Sequence, residues 1–133
     1  MNSFQDWGHD PRFWGPSTWG LLHDAAFAYD VTWRKKYEAL VAGLQYFLPC
    51  PVCRNHYGKM LRRYGKTVSQ ICATRKDLFT FFVDVHNDVN ARGNKPTRRV
   101  EDVWEAYEKG ETVPSGDTRA FWMLLFCSSF HSA

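Results

Sequence analysis

Three observations predict an all-α fold, a small antiparallel helical bundle. Apolar residues recur three or four apart in successive stretches, no stretch alternates apolar and polar residues as a half-buried strand does, and no repeat or low-complexity block breaks the chain. With 133 residues, 44% hydrophobic and 17% aromatic, the chain carries enough apolar surface for one core of its own. The expected organisation is an N-terminal segment over 1–14, a helical domain over 15–110 and a C-terminal extension over 111–133.

The first helix is predicted over Gly15 to Tyr29, where Trp19, Leu22, His23, Ala26 and Phe27 fall at helical spacing behind Pro16 and the cap-forming Ser17 and Thr18. Tyr37, Leu40, Val41, Leu44 and Phe47 share one face of a second, from Trp33 to Phe47. Pro49 and Pro51 end that pattern. Proline suits a helix's first turn and not its interior, so Cys50 is expected at or beside the N-cap of a third helix running to Tyr64 and closed by Gly65. Leu78, Phe79, Phe82, Val83, Val85, His86, Val89 and Asn90 define a fourth, stopped by Gly93 and Pro96; Thr97 caps a short fifth through Val100, Val103, Trp104 and Tyr107 to Gly110. Ser115 to Ala133 reads as a last helix or an apolar tail.

A net charge of +3, from 17 basic and 14 acidic side chains with no long basic run, argues against a nucleic-acid partner. The N-terminus lacks the charged start and apolar stretch of a secretory signal, and the longest apolar run, Ala120 to Phe126, is too short to span a bilayer. Without an export signal, four cysteines point to metal binding or catalytic redox chemistry more than to a disulfide framework.

Cys50 and Cys53 form a Cys-x-x-Cys pair at a helix start, where free backbone donors and the positive dipole end stabilise a thiolate. With Arg54 alongside, such surroundings lower a cysteine pKa. Three other readings stand beside redox use. The sulfurs could pack in the core; Cys50, Cys53 and His56, with His86, could hold zinc; a thioredoxin-like domain would need βαβ units that the sequence lacks. In VDVHNDVNARGNKPT, His86, Asn87 and Asn90 ride one helix, His86 and Asn90 four apart on one face. Inward polar groups need partners, and a heterocyclic ligand between helices would supply them. His23, four residues from Trp19, repeats the pattern.

STWGLLH (Ser17 to His23), LPCPVC (Leu48 to Cys53) and HNDVNARGNKP (His86 to Pro96), in this order, resemble the Erv/ALR family of FAD-linked sulfhydryl oxidases. The resemblance implies an FAD-binding four-helix bundle with a short fifth helix, as a homodimer that oxidises thiol-containing protein substrates with dioxygen as electron acceptor. It implies Cys53 as the flavin-proximal thiol and Cys50 as the distal one, Gly15, Thr18, Trp19, His23 and Tyr29 as first-helix flavin contacts, and His86, Asn87, Asn90 and Lys95 as those of the later motif. Trp104 resembles an aromatic contact on the adenine side, and Arg98 or Arg99 could help Lys95 at the diphosphate. No metal and no membrane span are implied. The size resembles the compact members of large DNA viruses, which implies action in the host cytoplasm or at a viral assembly site. Two departures stand out: the family's LGKP reads GNKP at Gly93 to Pro96, and neither Cys72 nor Cys127 belongs to a second Cys-x-x-Cys pair, so substrate would reach Cys50 directly.

Overall fold

The structure, a computed structural model, describes residues 11–110; the expectations for the extension, Cys127 included, lie outside the described residues. Six helices follow in order: α1 (Pro11–Phe27), α2 (Arg34–Phe47), α3 (Pro51–Arg63), α4 (Val68–Ile71), α5 (Arg75–Arg92) and α6 (Val100–Glu108), with a 3₁₀ turn over Val31–Trp33. The described fold is all-α, four long helices joined by the one-turn α4 and flanked by the short α6.

Local chemistry sets most boundaries. Pro11 occupies the first position of α1, where no amide is needed, and the helix continues through Pro16. The predicted start at Gly15 is therefore corrected; Thr18, expected as a cap, is interior and its hydroxyl donates to the Trp14 carbonyl at 2.9 Å. Cys50 is the N-cap of α3, with Pro51 behind it. Gly65 follows that helix at φ +83, a left-handed conformation that glycine adopts without a Cβ penalty. The sequence reading missed α4, which a reciprocal Thr67–Gln70 capping box starts. Thr74 caps α5 by accepting from the Asp77 amide. At α6 the N-cap is Arg99 and not Thr97, because helical geometry begins only at Val100.

Helix α1 packs chiefly on α5, and α2 on α3, while α4 touches both α2 and α5 and α6 lies on α5. The central helix is α5: Leu78, Phe79, Phe81 and Phe82 are fully buried. Each such side chain contributes roughly 1.5–3 kcal/mol by leaving water. Phe79 meets the rings of Phe27, Trp104 and Tyr107 edge-on, tying α1 and α6 to α5. Cys72 is buried in the same core, and its carbonyl accepts from the Tyr29 hydroxyl at 2.7 Å. Among the described residues no helix is long and apolar enough to cross a membrane.

Candidate functional site

A cavity of about 780 Å³ opens between the α1–α5 and α2–α3 pairs, within the range typical of cofactor sites. Helical periodicity explains who lines it. On α3, Cys53, His56, Tyr57 and Met60 fall on one face, and on α5 Phe82, Val85, His86 and Val89 do the same. Helix α1 adds Gly15, Thr18 and Trp19, the end of α2 adds Leu44 and Leu48, and the strap after α5 adds Lys95 and Arg98. Gly15 is buried, and a Cβ built there would meet nothing within 4 Å, so its missing side chain leaves cavity space open.

One wall is histidine. His86 lies flat against Trp19, the ring centroids 4.2 Å apart and the planes 6° from parallel. Behind it, His23 Nε2 is 3.0 Å from His86 Nδ1. His23 is 6% exposed and is not part of the cavity lining, so it touches the space only through His86 and Trp19. Burial lowers its pKa from 6.5 to about 3, helped by His86. His86 falls to about 4, from burial and then from the Lys95 charge. Both rings are neutral at pH 7.

The opposite wall carries sulfur. Cys50 and Cys53 are free thiols in contact with each other, and Cys50 Sγ accepts the Cys53 amide at 3.2 Å, capping α3. The expected lowering of the cysteine pKa does not hold for Cys53. Burial first, then its bond to and charge from Cys50, push the thiol up to about 12; Arg92 is the opposing charge. Arg54, expected to help, donates instead to the Leu48 carbonyl at 2.6 Å. Cys50 is half-buried between Phe47 and Val52, which are 73% and 61% exposed.

The cationic end is built by a strap. The Lys95 amide donates to the Asn90 carbonyl at 2.7 Å, and Asn94 sits at φ +56. Asparagine tolerates this left-handed region better than most residues, which accounts for Asn94 where the resembling motif has glycine. Asn87 binds Arg98 twice, Nδ2 donating to the Arg98 carbonyl at 2.6 Å and Oδ1 accepting its amide at 2.9 Å. Asn90 Nδ2 donates to the Pro96 carbonyl at 3.3 Å. The two asparagines, expected to await a ligand, thus find partners in the chain.

Among the predicted site residues, Gly15, Thr18, Trp19, Cys53, His86, Asn90 and Lys95 surround the cavity. Five do not line it, Cys50 among them. His23 stands behind His86; Asn87 holds the strap; Tyr29 points at Cys72; and Trp104 packs on Phe27 and Phe79, with Arg75 and Lys76 over its ring. Arg99 is exposed and faces Glu101. Sequence reasoning missed Trp14, Tyr57, Met60, Phe82 and Arg92, although Tyr57 and Met60 are detectable as the helical neighbours of Cys53. Among the described residues no three His, Cys, Asp or Glu side chains come together to hold a metal ion, so the zinc alternative finds no ligand set there.

The walls fit a ligand that is part planar and apolar and part anionic. Leu44, Leu48, Phe82 and Val85 make the lining apolar in part, whereas Arg92, Lys95 and Arg98, against the single Asp88, give it an excess of positive charge. Trp14 Nε1 and Arg98 Nε, on lining residues, are buried without a partner, and a ligand acceptor would satisfy such donors.

Residues 16–108 match the protein-family model described as the Erv1 / Alr family. Three viral proteins whose names carry the words FAD-linked sulfhydryl oxidase are similar. The protein of Invertebrate iridescent virus 3 is 31% identical over 102 residues, 74% of this chain and 68% of that protein. That of Acanthamoeba polyphaga mimivirus is 29% identical over 119 residues, 86% and 82% of the two chains. The Invertebrate iridescent virus 6 protein is 31% identical over 94 residues, 65% and 85%. No solved structure matches the chain.

Proposed function

Because this chain belongs to the Erv1 / Alr family, we propose that it is an FAD-dependent sulfhydryl oxidase that makes disulfides in substrate proteins through Cys50 and Cys53. One observation carries the reading: Cys53 faces the cavity that Trp19 and His86 wall, while its partner Cys50 lies outside that lining, beside exposed Phe47 and Val52. The pair thus joins an inner compartment to the surface.

In the working cycle, a substrate thiolate attacks Cys50 of the oxidised pair; the Cys50–Cys53 bond breaks and a mixed disulfide forms. Cys53 leaves as a thiolate. The second substrate thiol attacks the mixed disulfide, releasing the substrate disulfide and leaving Cys50 reduced, so two electrons and two protons have passed to the pair. The high pKa of Cys53 holds the inner thiol protonated in the resting reduced form, and Arg92 favours its ionisation when electrons must leave. When bound, FAD supplies the two-electron sink and passes the pair to dioxygen, giving hydrogen peroxide.

Lys95 and Arg98 would hold the diphosphate, and Trp19 and His86 would pack along the planar rings, with Gly15 and Thr18 completing that wall. The apolar lining near Cys53 excludes water from the exchange. Family membership also suggests a homodimer, which sedimentation of the purified protein tests.

The purified protein is expected to be yellow with flavin absorption and to consume oxygen on addition of a dithiol, with peroxide formed in equal amount. A colourless protein that folds fully, or a flavoprotein inert to dithiols, would overturn the proposal.

A further inference from the structure

We infer that His23 is a positioning residue: from behind the cavity wall it holds His86 as the Nε2–H tautomer, so that the wall offers its ligand a hydrogen-bond donor. That FAD is this ligand rests on the reading above; the tautomer does not.

A neutral imidazole has one donor nitrogen and one acceptor, and the bond made by one nitrogen fixes the role of the other. Across the 3.0 Å contact, only two arrangements are open to a neutral pair. If His23 Nε2–H donates to His86 Nδ1, both rings are Nε2–H tautomers. The buried His23 Nδ1, which has no partner, is then a bare lone pair. In the reverse arrangement His86 Nδ1–H donates, both rings must adopt the Nδ1–H form, and a proton sits on His23 Nδ1.

Two arguments favour the first arrangement. The imidazole side chain intrinsically prefers the Nε2–H form, so the reverse places two residues in the less stable tautomer. Stranding a buried N–H forfeits a strong donor among the rings of Phe79 and Tyr107, and orphaned N–H groups are the rarer defect in folded proteins. His86 Nε2 then carries the proton, on a ring that lines the cavity. Stacking on Trp19 fixes the ring plane, so the direction of that N–H is set before a ligand arrives. What it meets must be an acceptor: a carbonyl, a ring nitrogen or a sugar or phosphate oxygen.

Nitrogen-15 NMR of the histidine side chains, recorded on the full chain as purified, tests this. His86 is expected to show a protonated Nε2 and a bare, hydrogen-bonded Nδ1. In His23→Leu that pattern should give way to a mixture of tautomers, with FAD binding about tenfold weaker, and His23→Gln, whose amide can donate in place of the ring, should restore both. A purely structural role for His23 would lower stability without moving the tautomer. Finding Nδ1–H on His86 in the unmodified protein, or finding the tautomer and FAD affinity unchanged in His23→Leu, would overturn the inference. If the protein binds no FAD, the cofactor reading fails while the NMR pattern still decides the tautomer.

Discussion

His86 on α5 and Cys53 on α3 face the same cavity, and burial moves their pKa values in opposite directions, the imidazole down to about 4 and the thiol up to about 12. The outcome is the same: both are neutral near pH 7, and the formal charges of the lining sit on the α5 end and strap, where Arg92, Lys95 and Arg98 outnumber Asp88. The walls differ in their exits. The histidine wall is backed by His23, which is buried, whereas the sulfur wall is backed by Cys50, which is only half-buried. A buried group backed by another buried group can orient a ligand; one backed by an accessible group can exchange with the outside.

The largest effect that tests this contrast is Cys53→Ser. Dithiol-driven oxygen uptake should vanish while flavin absorption persists, because in the proposed cycle electrons enter through the sulfur wall and the histidine wall would hold the flavin; uptake at the parental rate would refute the division.

Acid comes next. The native histidines have lowered pKa values, so the unfolded chain, titrating near 6.5, binds more protons than the native one. The stability that depends on their neutrality is complete above pH 6.5 and is lost as pH falls toward about 4 and then 3. Denaturant unfolding should show a loss on the order of 3 kcal/mol between pH 7 and pH 5, before most carboxylates titrate. His23→Leu should flatten that slope, and an equal slope in the variant would contradict the account.

At the strap, Lys95→Ala should weaken FAD about tenfold at low salt, and less at high salt because the charge is exposed. The smallest change is expected for Arg92→Gln in a Cys50→Ser background. Alkylation of Cys53 should slow only a few-fold, since the guanidinium is partly solvated and shares its charge with Asp88.

What could be read in advance follows the range of each interaction. Cys50 was placed at a helix start from Pro49 and Pro51 alone, and the long helices followed from apolar spacing, because both signals are local. Helix α1 was misread at its beginning because Pro16 is a strong stop signal, yet Pro11 had already supplied the first turn. The raised pKa of Cys53 has no local signal, because a helix terminus is set by neighbouring residues, while desolvation depends on what the whole fold packs around the thiol. His23 and His86 were both singled out, but 63 positions separate them, and no spacing rule shows that one stands behind the other. Trp104 and Tyr29 were singled out by the resemblance; in the folded chain neither lines the cavity, Trp104 packing on Phe79 and Tyr29 donating to the Cys72 carbonyl, contacts that no local spacing shows.

The pair of hydrogen bonds between the Asn87 amide group and the Arg98 backbone closes a ring eleven positions around, with Lys95 inside that stretch. A closed ring has a fixed circumference. An insertion or deletion within it cannot be absorbed as slack the way a surface loop absorbs one, and must either open the clasp or carry the lysine off its station. The spacing between that asparagine and that arginine is thus a ruler for the cavity, and a single added glycine inside it should be worse tolerated than most exchanges of side chain along the same stretch.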